Sequence, residues 1–225
     1  LSVLEHAGYL GVAGEKRIPL TPRHYRYLKV SEGCNHTCSF CVIPQIRGRF
    51  RSRGIPDAVR EATRLVREGA KELIVIGQDT SKFGCDYARR PLLAALLRKI
   101  ERIPGVKWIR VLYAHPSSLN DELVRVMASS RKICRYIDLP LQHINDRILR
   151  SMRRGITKQK TVELVRKLRA SIPGLVIRTS FIVGYPGETD AEFRELLEFM
   201  RGVKFERAGI FKYSAEEGSR AAKLP

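Results

Sequence analysis

Hydrophobic positions change period along the chain, and the changes alternate. Residues 25–31 (YRYLKVS) are rich in β-forming side chains and predict a strand. Residues 56–69 (PDAVREATRLVREG) then place Val59, Ala62, Leu65 and Val66 at helical spacing, with Gly69 as the stop. KELIVIG (71–77) is a nearly continuous apolar run, as in a strand buried on both faces. RPLLAALLRKIERIPG (90–105) puts Leu93, Leu96, Leu97 and Ile100 on one helical face and ends at Pro104-Gly105. VKWIRVLYA and SLNDELVRVMAS repeat the strand-then-helix alternation, and RYIDLPL is followed by two helical patterns, NDRILRSM and TKQKTVELVRKLRAS. LVIRTSFIVG predicts a fifth strand. The helix after it has a T-x-x-E capping box at Thr189 and Glu192, an apolar stripe of Phe193, Leu196, Leu197 and Met200, and Gly202 at its end. FERAGIFKYS (205–214) closes the series.

Six strands, the first five each followed by helix, imply crossovers and a parallel sheet, either doubly wound or a barrel. A complete eight-unit barrel takes about 250 residues, so six units in this length predict a partial one, an α/β fold of the (β/α)6 type. No G-x-G-x-x-G follows the first strand, which argues against dinucleotide binding. Function in such folds gathers at the C-terminal ends of the strands. That rim should carry the loop SEGCNHTCSFCVIPQIRGRF after the first strand, Gln78-Asp79-Thr80 after the second, His115 after the third, Gln142-His143 after the fourth, and Gly184-Tyr185-Pro186-Gly187 after the fifth.

Composition adds two facts. The balance of 42 Lys and Arg against 23 Asp and Glu gives a net charge of +19, a field that favours polyanionic partners such as rRNA or tRNA. Apart from charge, no RNA-binding motif is evident, and a solvated basic surface is the plain alternative. No apolar run approaches the roughly 18 residues of a membrane span, and the N-terminus does not read as a secretion signal, so a cytoplasmic setting with reduced thiols is the expectation.

The five cysteines are an odd count, which argues against a complete disulfide framework. Cys134 reads as a small packing residue at the start of a strand, and Cys85 as a loop residue without an assigned role. Cys34, Cys38 and Cys41 form C-x3-C-x2-C. A structural zinc site wants four ligands, and only His36 is near. A disulfide leaves one thiol over, a ferredoxin run has different spacing, and a redox pair of Cys38 and Cys41 leaves Cys34 unexplained. Three cysteines on a loop suit three irons of a 4Fe–4S cluster, with the fourth iron open.

CNHTCSFC, with an aromatic residue before the last cysteine, resembles the signature of the radical S-adenosylmethionine (SAM) enzymes, whose fold is a partial β/α barrel. The resemblance implies that Cys34, Cys38 and Cys41 ligate the cluster and that the amino and carboxylate groups of SAM complete the fourth iron. YLKVSEGCNHTCSFCVIPQIRGRFRSR, ELIVIGQDTSKFG, RTSFIVGYPGETDAEF and KYSAEEGS further resemble the central domain of the methylthiotransferases, over nearly all of residues 25–220. SEGCNH, GQDT and YSAEEGS are closer to the branch that modifies an aspartate of a small-subunit ribosomal protein than to the branch that modifies an adenosine derivative in tRNA (the MiaB type), which more typically shows EGCD and GQNV.

By that resemblance, a deoxyadenosyl radical takes hydrogen from the aspartate β-carbon and a methylated sulfur is then added. An electron donor such as flavodoxin or ferredoxin and the ribosomal protein or assembled subunit are the implied partners. Family members carry an N-terminal domain with a second 4Fe–4S cluster and a small C-terminal RNA-binding-like domain. Residues 1–24 and 221–225 are therefore expected to be linker, around a catalytic core of 25–220.

For SAM the resemblance points to Gln78 and Asp79 at the methionine amino group, although turn chemistry suits Asp79 as well. On the fifth strand, Arg178, Ser180 and Ile182 share the face expected to line the lumen, and Arg178 either holds the methionine carboxylate or neutralises Asp138. Gln142 is the ribose candidate, Phe40 either packs near adenine or covers the cluster, and Gly184 lies in the segment near adenine. His115 and His143 are rim residues with no required chemistry. Arg47, Arg49, Arg51 and Arg53 flank the cysteine loop and either meet RNA or an acidic loop or remain solvated.

Overall fold

Each of the β-patterned stretches forms a strand in the computed structural model, which describes residues 20–225. The strands are β1 (Tyr25–Lys29), β2 (Glu72–Ile76), β3 (Trp108–Val111), β4 (Tyr136–Asp138), β5 (Val176–Val183) and β6 (Arg207–Lys212). β1, β2 and β3 pair in parallel, and β4, β5 and β6 do the same. A parallel bridge from Ile109 to Ile133, with Ala114 N–H donating to Asp138 O at 2.9 Å, joins the two triplets. Spatial order therefore follows chain order, without the reversal of a doubly wound sheet. β1 and β6 each have one strand neighbour among the described residues, so the barrel stays open.

Helices cover one face of this curved sheet. They are α1 (Ile55–Arg67), α2 (Leu93–Glu101), α3 (Asp121–Ser129), α4 (Asp146–Ser151), α5 (Lys158–Ser171) and α6 (Asp190–Val203). Leu28, Leu73, Val75, Ile109, Ile137, Ile177 and Phe181 are buried in the same core as Ala62 and Leu65 of α1, Leu96 and Leu97 of α2, and Met127 of α3. In β1 and β3 the alternate positions stay accessible, with Tyr27 at 42% and Trp108 at 57% exposure. This is the period-two pattern of a sheet packed on one side. At the centre of β2 both faces are buried, as its apolar run implies.

Several expectations shift. The first strand is shorter than predicted, because Ser31–Glu32 turn aside to pair antiparallel with Arg51–Ser52 and close the base of the cysteine loop. The capping box of α6 forms, but its stripe is rotated: Leu196 is buried, whereas Phe193 is 38% exposed and Phe199 packs edge-on to Phe181. Cys85 begins a one-turn helix rather than lying in a loop. Ala221–Lys223 form a 3₁₀ turn, and buried Ala221 donates its N–H to Ser39 O at 2.8 Å. Of the expected leading linker, residues 1–19 lie outside the described residues.

Candidate functional site

The cysteine loop leaves β1 at the rim predicted for it, held by a tight backbone approach. Gly33 (φ 78°) precedes Cys34, and a Cβ there would stand 2.3 Å from Arg49 O, just ahead of the returning strand, a contact that only glycine allows. Gly77 follows β2, and a Cβ there would meet the Ser31 side chain, its Oγ at 2.2 Å. Cys34, Cys38 and Cys41 then line one side of a cavity of about 440 Å³. Its other walls are Gly77 and Gln78 after β2, Tyr113, Ala114 and His115 after β3, Pro140 and Gln142 after β4, and Arg154 after α4.

Two sets of side chains fasten the loop. His36 Nε2 lies 2.7 Å from Asp79 Oδ2, and its ring stacks on His115 with centroids 3.8 Å apart. Asp79 also accepts from Ser81 N–H at 3.1 Å and from the Ser81 hydroxyl, as the N-cap of a 3₁₀ turn. Burial alone would raise Asp79, but the hydrogen bonds from His36 and Ser81 prevail and hold its carboxyl below the ordinary carboxylate value. Burial, together with the positive charge of Arg154, pushes His115 down to about 2 and keeps it neutral. Its Nδ1 accepts Ser117 N–H at 3.3 Å, which assigns the proton to Nε2, a buried donor without a partner.

On the opposite side Ser39 acts as the fastener. Its N–H donates to Met152 O at 3.1 Å and its hydroxyl to Ser151 O at 2.7 Å, taking up carbonyls that α4 leaves unsatisfied at its C-terminus. Tyr185 OH lies 2.8 Å from Ser39 Oγ, so the segment after β5 joins the same latch. Phe40 and Ile182 pack against the small cluster of Ile148, Met152, Tyr185 and Ala221.

The predicted residues therefore separate. Cys34, Cys38, Phe40, Cys41, Gln78 and Gln142 come together around the cavity. Asp79 is 1% exposed and stands behind His36, in the turn role that its position also suited. Arg178 pairs with Asp138 at 2.8 Å; it, Ser180, Ile182 and Gly184 are not among the residues lining the cavity. Gly184 N–H instead donates to the Glu188 carboxylate. His143 is wholly buried and bridges Glu188 at 3.0 Å, a structural tie. Arg53 is 4% exposed and pairs with Asp57 and Glu61, which corrects its place in a basic docking run; Arg47, Arg49 and Arg51 are exposed.

Sequence reasoning missed Arg154, Tyr113 and the Ser39 latch. Two signals accompany them. Tyr113 and Gln142 both adopt left-handed backbone, φ 58° and 73°, and both line the cavity. Positive φ is uncommon for non-glycine residues and clusters at functional sites, although Arg89, Arg153 and Lys204 adopt it here at helix ends.

Burial raises the thiols of Cys34 and Cys41 above the ordinary cysteine value. Among the described residues no group of three His, Cys, Asp or Glu side chains is placed to close on a single metal ion.

Comparison with known proteins agrees with this site. Residues 28–200 match the Radical SAM superfamily. The chain is 51% identical over 218 residues to the ribosomal protein uS12 methylthiotransferase RimO of Pelotomaculum thermopropionicum, covering 97% of this chain and 49% of that protein. It is also 51% identical over 222 residues to RimO of Thermoanaerobacter sp., covering 98% and 51%. The chain thus spans about half the length of these relatives. Among solved structures, the radical SAM methyltransferase TsrM of Kitasatospora setae superposes with a TM-score of 0.70 at 21% identity, covering 87% of this chain and 39% of that one. The three-cysteine loop at the strand rim, the open six-strand fold and the family match converge: the chain belongs to the radical SAM superfamily.

Proposed function

We propose that this chain is the SAM-cleaving core of a ribosomal protein uS12 methylthiotransferase, acting on an aspartate of that protein. The observation that carries the reading is the placement of Cys34, Cys38 and Cys41 on one wall of a cavity whose other walls contain buried polar atoms without partners. Those atoms are Gln78 Oε1 and His115 Nε2. Identity of 51% to RimO proteins supports the choice of target.

A 4Fe–4S cluster held by the three cysteines would supply the electron that cleaves SAM. The protein's part is to bind, orient and exclude water. In the cavity Gln78 Oε1 is an acceptor and His115 Nε2–H a donor; both suit the ammonium, carboxylate or base edges of SAM. A neutral His115 adds no charge beside a sulfonium. Gln142 and Tyr113 present their side chains from strained backbone, and Phe40 screens the loop side. The second cluster, a flavodoxin-like or ferredoxin-like electron donor and a cytoplasmic setting on the ribosomal subunit belong to this same reading. The exposed Arg47, Arg49 and Arg51 beside the loop suit an rRNA backbone. Among the described residues no helix is long and apolar enough to cross a membrane.

The test is anaerobic reconstitution with iron and sulfide, followed by EPR of the reduced protein with and without SAM. A cluster signal that changes with SAM and vanishes in Cys38→Ala is expected; one bound zinc and no sulfide would overturn the reading. Target choice is read by offering uS12 and tRNA to the full-length enzyme and weighing which gains a methylthio group; gain on tRNA alone would move the chain to the MiaB type.

A further inference from the structure

Two segments that wall the cavity run on past it into exposed arginines. The cysteine loop continues from Cys41 to Arg47, Arg49 and Arg51, and the segment after Gln78 continues to Tyr87, Arg89 and Arg90. The two meet beside the cavity. Ser52 N–H donates to the Asp86 carboxylate at 2.8 Å, and Gly84 N–H donates to Ser52 Oγ at 2.9 Å. Cys85–Ala88 thereby pack as one helical turn against Arg51–Ser52. Leu92 N–H donates to O of the wholly buried Phe83 at 2.6 Å, so residues 84–91 form a loop closed at its base and seated on the core.

The charge on this surface is one-sided. Asp86 is the single acidic residue in 47–51 and 84–91, and the Ser52 amide takes it up. Arg49, Arg89 and Arg90 are exposed and have no ion pair among the described residues. Arg47 reaches only Glu32, at 3.8 Å, a buried carboxylate that Lys29 already neutralises. Tyr87 stands beside these cations with half of its surface exposed. Clustered exposed cations repel one another and favour a polyanion. Two features select RNA among polyanions. Every cation here is arginine, whose planar fork matches phosphate oxygens in pairs, where lysine offers a point charge. An exposed tyrosine ring gives an unpaired base a surface to stack on, a need that an acidic peptide does not have.

We propose that Arg47, Arg49, Tyr87, Arg89 and Arg90 form an RNA-docking surface that grips phosphates of small-subunit rRNA and stacks one unpaired base on Tyr87. The choice of rRNA rests on the uS12 reading, because a ribosomal protein presents its target residue beside that RNA. Both segments also wall the cavity, so RNA held by them lies next to the place where the target enters.

The experiment is a fluorescence-anisotropy titration of the reconstituted chain with a short single-stranded fragment of small-subunit rRNA, repeated over a series of salt concentrations. Arg49→Gln, Arg89→Gln and Arg90→Gln should each weaken binding and reduce the slope of log affinity against log salt by about 0.7. Tyr87→Ala should weaken binding about tenfold with the slope unchanged, and Tyr87→Phe should bind as the unsubstituted chain does. Arg98→Gln, at an exposed position of α2, is the control for charge alone. Losses at the surface no larger than that of Arg98→Gln would overturn the proposal, as would an unchanged affinity in Tyr87→Ala. Polyglutamate bound as tightly as the RNA, with the same arginine dependence, would replace RNA by an acidic protein partner. Tighter binding of tRNA than of the rRNA fragment, with the same variants losing affinity, would refute the rRNA occupant, and it alone among these outcomes counts against the uS12 reading.

Discussion

Where the cysteine loop faces the first three strands, one carboxylate holds it. Asp79 accepts from His36 and Ser81 and lies 3.4 Å from His115 N. Where the loop faces the last three strands, neutral hydroxyls and helix-end carbonyls hold it instead, through Ser39, Ser151, Met152 and Tyr185. The first attachment is concentrated in one charged group, and the second is spread over several weak ones. A concentrated attachment fails in one step and titrates, whereas a distributed one erodes gradually and is indifferent to pH. On the proposed reading, a loop carrying three ligands for one cluster gains from having both, because neither failure alone releases all three sulfurs.

The largest effect expected from this contrast is that of Asp79→Ala. It leaves His36 and Ser81 without an acceptor in a buried setting, and each such group costs about 1–3 kcal/mol. A loss on the order of 3 kcal/mol in urea unfolding of the cluster-free chain is the expected outcome. Because the Asp79 pKa is lowered in the folded protein, its contribution is present above the unfolded carboxylate value and is lost as pH falls through the folded one. The gap between Asp79→Ala and the unsubstituted chain should therefore close in acid. A gap that stays constant down to pH 2 would mean that the carboxylate is not the fastener.

Ser39→Ala comes next. Its hydroxyl bonds Ser151 O and Tyr185, but Ser151 O retains Tyr185 OH at 3.3 Å, so about 1–2 kcal/mol is expected and no acid dependence. Tyr185→Phe should cost about 1 kcal/mol. Because the two residues share one hydrogen bond, the double variant should lose less than the sum. Additive losses in the same urea titration would show that the second attachment is two separate contacts rather than one latch.

Much of this contrast was out of reach of sequence reasoning. Periodicity found all six strands and the helices between them because one-sided burial writes a period into the chain, as with Leu93, Leu96, Leu97 and Ile100. Spacing singled out Cys34, Cys38 and Cys41, which line one cavity, because they lie close together on one loop. His36 and Asp79 are 43 residues apart, Ser39 and Tyr185 146 apart, and Arg154 and Cys38 116 apart. Contacts of that separation leave no local trace, and Arg154 looks like one more surface arginine in a chain of net charge +19. For Arg178 the sequence left two partners open, the methionine carboxylate and Asp138; period two put it on the accessible face, and tertiary pairing places its guanidinium on Asp138.

The same contrast extends weakly to the helix after β5. Glu192 of the α6 capping box accepts Arg147 Nε at 2.6 Å and Thr189 N–H at 2.9 Å, linking α6 to α4, the helix whose end receives Ser39. The hydrogen bond from Arg147 is the main cause that holds its carboxyl down at about 2, against an ordinary value of 4.5. Arg147 is about half exposed, so solvent screens the pair and most of the benefit is the cap. Glu192→Gln should therefore cost only about 0.5–1 kcal/mol at neutral pH. The folded-state pKa is depressed, so this contribution is complete above pH 4.5 and disappears as pH falls towards 2. The difference in unfolding midpoint between Glu192→Gln and the unsubstituted chain should shrink across that window. A Glu192→Gln loss as large as that of Asp79→Ala would place the dominant fastening of the loop on the α4 side and reverse the order of the two attachments.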